Sequence, residues 1–394
     1  MNRWRMSLLE CSAIVVAGTL LSFGRGWTQD SEVVPTRDRP ALELDLMKFG
    51  YERYRSAHGR WPTFVDFTDA NRLALAWLTP DDRVAAGKAY WAVPVPAHLH
   101  VLILDAATGE KQGLREWPTP STPVRFMGIR DGKFLTCAGG VLRVLSSRFE
   151  VIREEQLPSE RGCLDPGRKG VSPSRRSLLL SFPDTQTDGR TLFSDTLLDI
   201  ESFRPIAKWT EKRTTTDISD HWLAGHCGQP GRTCIRGVDQ QWQPLPGDEK
   251  DIRARSFVND ETLAIQYGND MAVMNVDGSV LFQARLPQHR FAVQFVASSG
   301  GERFAAIEGR MRGLRSEPLD MYPFQSEDRV VVYSIPDRSG IFALKLKGAS
   351  PWPSWSSQAH VNQVALSPDG SLLALVADDV LKIYRLPSSN TVHH

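Results

Sequence analysis

Between Val361 and Leu386 apolar and polar side chains alternate in three short runs, VNQVALS, SLLALVA and VLKIYRL. An extended chain turns successive side chains to opposite faces, so Val364 and Leu366, then Leu373 and Leu375, each line one face of a half-buried antiparallel strand. Pro368-Asp369-Gly370 joins the first two runs. Proline presets φ and glycine accepts positive φ, which makes this a tight turn. Asp378-Asp379 joins the next two.

The same pattern recurs upstream. FVDFT, RLALAWL and HLHVLILD precede PVRFMGI, KFLTCAG, VLRVLSS and FEVIREEQL, in which Arg130-Asp131-Gly132 forms a turn. The third unit is KGVSPSRRSLLLSF, TLLDIES and RPIAKWT, with Ser172-Pro173-Ser174-Arg175 in the place of Ser-Pro-Asp-Gly. The fourth, TTDIS, HWLAGHC, TCIRGVD and QWQPLP, is the most degenerate. ARSFVNDETLAIQY with MAVMNVDG and VLFQARL make a fifth, and FAVQFVASSGGERFAAIEG with RVVVYSIPDRSG and IFALKLKG a sixth. Third strands start near Val101, Val141, Leu197, Cys234, Met271, Val330 and Val380, a mean step of about 46 residues, the period of a propeller blade.

The last unit, with its SPDG turn between two such strands, resembles one blade of a β-propeller of the Trp-Asp-repeat or bacterial YVTN-like kind. The resemblance implies a fold: an all-β chain forming a single propeller of seven blades over residues 63–387. A miscount of one unit would make six or eight. The last unit shows three strands only, and propellers close by borrowing a strand from the opposite terminus, which leaves no open edge. Leu42, Leu44 and Leu46 alternate with Glu43 and Asp45, so residues 41–48, within an N-terminal segment 29–62, are assigned that role. Residues 388–394 read as a disordered tail.

Arg3 and Arg5 precede an apolar run, Ser12 to Phe23, too short to span a bilayer comfortably but suited to a secretory signal. Residues 1–28 therefore predict export, secreted or periplasmic, with an uncleaved N-terminal anchor as the alternative. The formal charge of the chain is +1, and the first 28 residues hold three Arg and one Glu, which leaves the remainder close to neutral. That argues against a nucleic-acid or polybasic membrane binder.

Loop lengths divide the propeller. Connections from first to second and from third to fourth strands are tight, whereas 79–97, 158–169, 183–190, 309–327 and 348–358 are long and emerge on the other face. Function on rigid scaffolds concentrates in such loops. They carry Tyr90, Trp91, Arg310, Arg312, Arg315, Tyr322, Phe324, Trp352 and Trp355, the aromatic and Arg composition of a binding surface. The same aromatic residues would also suit packing of the loops onto the barrel.

Beyond Cys11 the chain has four cysteines, an even number in a chain read as exported, which predicts two disulfides, Cys137–Cys163 and Cys227–Cys234. A zinc site from His221, His226, Cys227 and Cys234 lacks the usual CxxC or HExxH spacing, so no metal is expected. His98 and His100 lie on one face of a strand and read as a strand-end pair. Leu104 to Trp117 resembles the A-x-D-x-x-T-G-x-x-x-W repeat of quinoprotein propellers, but occurs once and suits a hairpin turn. No nucleophile elbow or phosphate loop is present. The sequence thus predicts a binding or scaffolding module for a protein, peptide or glycan, without a cofactor, acting through the long-loop face. A propeller hydrolase or lyase with a site at the channel mouth is the second reading, and a quinoprotein-type dehydrogenase the third.

Overall fold

The computed structural model describes residues 28–29, 39–52, 55–56, 59–60, 63–81, 96–119, 124–158, 170–185, 191–211, 215–226, 233–245, 252–267, 270–287, 290–310, 329–346, 364–377 and 379–388. Seven antiparallel sheets follow one another in chain order as the blades of a β-propeller. Blade 1 has strands Thr63–Phe67, Arg72–Pro80, Ala97–Asp105 and Lys111–Thr119, and blade 2 has Val124–Gly128, Phe134–Ala138, Val141–Leu145 and Val151–Gln156. In blade 3 the first strand is reduced to a bridge between Val171 and Leu178, followed by Ser177–Thr185, Thr191–Asp199 and Pro205–Glu211. The expected insertion at 183–190 is therefore partly strand, because the second and third strands of this blade pair out to Thr185 and Thr191.

Blades 4 and 5 begin at Thr215–Ile218 and Ile252–Phe257, and blades 6 and 7 at Arg290–Ala297 and Val364–Leu366. First strands of neighbouring blades face each other around the central channel. Between blades the sheets bury apolar side chains: Ala76, Leu78, Val101, Phe126 and Phe134 between blades 1 and 2, and Leu135, Val144, Leu178 and Leu198 between blades 2 and 3. Inner strands are therefore buried on both faces, as in Arg72–Pro80 and Phe134–Ala138, and the positions that alternate with their large apolar ones hold mostly small residues. Each sheet is covered on both faces by its neighbours, so only the outer strands show water-facing residues throughout, as in Val151–Gln156.

The N-terminal segment closes the ring. Leu42–Asp45 runs antiparallel to Val380–Arg385, with Leu42 opposite Ile383 and Leu44 opposite Leu381. The expected strand over 41–48 is shorter than its alternation implied, because Leu46–Phe49 forms a turn of 3-10 helix. Asp45 stops the strand by accepting the Met47 N–H, and Gly50 ends the helix at φ 80. Leu46 is then fully buried beside Tyr51, Val65 and Leu381. Gly109, at φ 75 in blade 1, lies so near Leu44 that an added Cβ would stand 2.9 Å from its Cδ1, so the closing strand locks blade 7 to blade 1 as well.

A second N-terminal strand was not apparent in the pattern. Thr28–Gln29 adds to the outside of blade 5, parallel to Val280–Arg285. It crosses the boundary placed between residues 28 and 29. Among the described residues no helix is long and apolar enough to cross a membrane.

Candidate binding site at the channel mouth

The seven turns between first and second strands lie on one face and share a closing backbone bond. Thr68 N–H donates to Arg72 O, Ser172 to Ser177, Ser298 to Arg303 and Ser367 to Leu372, at 2.9–3.0 Å, and the remaining blades do the same. In blades 3, 6 and 7 the bond spans the same number of residues, which aligns those three turns position by position. In blades 6 and 7 the left-handed position is held by Gly301 and Gly370, at φ 75 and 69. In blade 3 the same position is Arg175, at φ 64. A non-glycine residue there costs about 1–3 kcal/mol, so its side chain needs a compensating role.

That role is visible. Arg175 Nη2 donates to Asp66 Oδ1 at 2.7 Å, and Nη1 to Asp66 Oδ2 and to Gly128 O. Asp66 Oδ2 also accepts the Gly128 N–H at 3.0 Å. The guanidinium of blade 3 therefore reaches past blade 2 to a carboxylate of blade 1. Burial opposes its charge, but the Asp66 carboxylate outweighs that and holds the guanidinium above its ordinary pKa. Gly128 permits the approach: a Cβ there would stand 2.8 Å from Phe67 O. Asp217 repeats half of this device in blade 4, where its Oδ2 accepts the Phe257 N–H of blade 5 at 3.0 Å.

Other polar contacts carry the chain of turns onward. Ser174 and Ser177 donate to Asp220 at 2.6 and 2.9 Å, and Arg130 Nε donates to Ser174 O. His221 N–H donates to Asp260, whose carboxylate also meets the His221 ring. Gly300 N–H and Arg303 Nη1 join blade 6 to Pro368 O and Gly370 O of blade 7, both at 2.8 Å.

Inside this frame is a cleft of about 680 Å³, formed by turns of blades 1, 2, 3, 6 and 7. Its floor includes Phe67, Gly128 and Ile129, and its rim Asp131, Arg175, Arg176, Asp199 and Glu201. Most of the charges already have structural partners. Asp69 caps its own turn and pairs with Arg72 at 2.6 Å, Asp199 accepts from Ser202, and Glu201 takes Lys133 at 2.9 Å. Asp131 is the open carboxylate, its side chain 75 % exposed and 3.8 Å from Lys133. Arg176 is exposed on the same rim.

Tyr90, Trp91, Arg312, Arg315, Tyr322, Phe324, Trp352 and Trp355 fall outside the described residues, as does the side chain of Arg310, whose backbone ends the second strand of blade 6. Cys137 and Cys234 are buried in blades 2 and 4, while Cys163 and Cys227 are outside the described residues. His98 and His100 do meet at the start of the third strand of blade 1, with Asp81 and Glu116 beside His98 at 3.2 and 2.6 Å and Trp77 stacked on His100. Burial holds the His100 ring below its ordinary pKa, although Glu116 pulls the other way. Among the described residues no group of His, Cys, Asp or Glu is arranged to hold a metal ion.

The quinoprotein-like stretch is a self-capped turn. Asp105 Oδ1 accepts from the N–H groups of Ala107 and Thr108 and from the Thr108 hydroxyl, and those bonds hold its carboxyl below the ordinary range. Asp66 and Arg175, by contrast, were not singled out from sequence. Their signal is the Arg standing where a Ser-Pro-Asp-Gly turn has its glycine.

The His221–Asp260 pair gives a pH dependence of known sign. The hydrogen bond that the His221 ring donates to Asp260 raises His221 above 6.5, so this contribution to stability is complete below that pH and fades as pH rises through the raised value. For Asp260 burial acts upward, but hydrogen bonds from His221 and Ser219 win and hold it below 3.8, so its contribution is present above 3.8 and fades at lower pH. His221 is 77 % exposed, so solvent reduces the effect to about 0.5 kcal/mol. Melting curves of wild type and His221→Gln should therefore lie furthest apart between the two ordinary values and converge towards pH 9. A constant separation up to pH 9 would rule out the ion pair as its source.

No protein-family model matches the chain, and no curated protein matches it. Solved structures similar in shape include Hsv2 from Kluyveromyces lactis, at 12 % identity over 84 % of this chain and 96 % of that one, with a TM-score of 0.48. BamB from Moraxella catarrhalis is similar at 13 % identity, covering 88 % and 99 %, with a TM-score of 0.37. An oligogalacturonate lyase in complex with manganese is similar at 10 % identity, covering 86 % and 98 %, with a TM-score of 0.46. The chain is a seven-bladed β-propeller with a charged channel mouth, and the sheets themselves establish that class.

Proposed function

We propose that the chain is an exported binding module that holds a protein or peptide segment of mixed charge at the short-turn mouth of its channel. The observation that carries this reading is the fixed rim of the cleft, where Arg175 is pinned by Asp66 while Asp131 and Arg176 stay exposed. A backbone frame held by inter-blade bonds sets the spacing of these exposed charges in advance and lowers the ordering cost of binding, which favours recognition. Apart from Asp131, the carboxylates that line the cleft serve as caps and ion-pair partners, which leaves no second one free to form an acid–base pair, so binding is favoured over a lyase or hydrolase. The aromatic and Arg composition of the long connections supports a second surface on the opposite face, suited to a protein, peptide or glycan.

Purified protein probed on peptide and glycan arrays tests this. Reversing the rim with Asp131→Lys and Arg176→Glu should abolish peptide capture, while Trp352→Ala with Trp355→Ala should leave it intact. The converse result would transfer binding to the long-loop face. Export and disulfides form one proposal, supported by the Arg-flanked apolar leader and the even cysteine count. Peptide mapping without reductant should recover Cys227 linked to Cys234 and Cys137 linked to Cys163, and four free thiols would refute both halves.

A further inference from the structure

Two arginines meet at one serine on the rim of the channel-mouth cleft. Arg130, in the turn of blade 2, donates from Nε to the backbone oxygen of Ser174 in blade 3 at 3.0 Å. Arg176 follows Ser174 in the same turn, and its backbone N–H donates to the Ser174 hydroxyl at 3.3 Å. Both residues are exposed and line the same cleft of about 680 Å³. Among the described residues neither guanidinium has a carboxylate within ion-pair reach. Arg130 therefore keeps its two Nη groups, and Arg176 its whole fork, for a group that enters the cleft.

Ser174 is fixed from behind. Its hydroxyl donates to Asp220 Oδ2 at 2.6 Å, and the Ser177 hydroxyl donates to the other oxygen of that carboxylate at 2.9 Å. Between Ser174 and Arg176 the chain is pinned by the bond of Arg175 to Asp66. In blade 7 the bond from Ser367 to Leu372 spans the same number of residues as that from Ser172 to Ser177, so Ser174 stands where Asp369 does and Arg176 where Ser371 does. Asp369 accepts the Ser371 N–H at 3.1 Å and so puts a carboxylate into its turn. Blade 3 has a hydroxyl at that position and a cation after it, so Arg176 lacks the anion that blade 7 carries. Two like charges held close together without an offsetting charge favour a bound anion.

We propose that Arg130 and Arg176 form an anion subsite at the channel mouth that takes one carboxylate of the bound peptide, from its C-terminus or from an Asp or Glu side chain. This rests on the peptide reading above and names the group that the positive side of the rim holds. A guanidinium offers paired N–H donors that match the two oxygens of a carboxylate. Asp131, Asp199 and Glu201 line the same cleft, so a singly charged carboxylate is favoured over a phosphate, whose second charge they oppose.

Peptides that the full chain captures on an array anchored through their N-termini are the probe. Each is remade with a C-terminal amide, and again with Asn or Gln in place of its Asp or Glu. One of the two changes should weaken capture about tenfold, the amide if the carboxylate is terminal and the Asn or Gln if it is a side chain. Arg130→Gln and Arg176→Gln, with melting curves as the check on folding, should each weaken the original peptide. Combined, they should make it no better than its uncharged remake, a convergence that a loss of stability would not produce. Capture insensitive to both remakes, or equal discrimination in wild type and the double variant, would overturn the subsite and leave the peptide reading standing. So would a phosphoserine remake that binds more tightly than the carboxylate peptide. If no peptide is captured at all, the proposed function falls and the subsite falls with it.

Discussion

Asp66→Ala is expected to destabilise the protein by about 3–5 kcal/mol, read as a lower denaturant midpoint with little change in slope. The carboxylate side chain is 7 % exposed, and removing it strands the Arg175 guanidinium and also takes away the acceptor for the Gly128 N–H. Arg175→Gly in that background should recover most of the loss. It removes the unpaired cation and puts glycine where blades 6 and 7 have it, relieving a backbone cost of about 1–3 kcal/mol. Arg175→Gly alone should be destabilising, because Asp66 then keeps one N–H partner and loses its counter-charge. If the double variant is no more stable than Asp66→Ala, the three-blade pin is not what holds this side of the ring.

Deleting residues 39–46 should do greater damage. The last blade would lose its outer strand, exposing the edge of Val380–Arg385, and the cluster of Leu46, Tyr51, Val65 and Leu381 would be opened. Thermal unfolding should begin well below the wild-type transition and be accompanied by light scattering from edge-to-edge association. Leu46→Ala alone should cost about 2–5 kcal/mol, since the side chain is fully buried. Met47→Ala, at a side chain that is 57 % exposed, should change stability by less than about 0.5 kcal/mol. Wild-type melting after the deletion would mean that blade 7 is complete without its borrowed strand.

The propeller was legible because its signal is repeated. Val364, Leu366, Leu373 and Leu375 form short apolar runs whose intervening Ala365 and Ala374 are buried as well, and tight turns recur at a blade's spacing. What failed to show in the pattern did so for physical reasons. Leu46 continues the alternation of Leu42 and Leu44, yet Asp45 caps a helical turn, and a local cap overrides periodicity. Thr28–Gln29 is held by backbone pairing over two residues, which leaves no hydrophobic pattern to read. Asp66 and Arg175 are 109 positions apart, so their contact exists only once three blades have assembled. The cleft belongs to turns that look ordinary one at a time.

The pairing of Leu42 with Ile383 also constrains the order of events in folding. A chain made from its N-terminus presents the closing strand before all seven blades and its acceptor in the last of them, so the ring cannot shut until blade 7 has been made. Closure is then a late, non-local step whose loop runs from Leu42 to Ile383, the kind of contact that slows folding and leaves strand edges open to intermolecular pairing. A circular permutant that carries residues 39–52 after Leu386 would turn this last step into a local hairpin, and should reach the same fold faster.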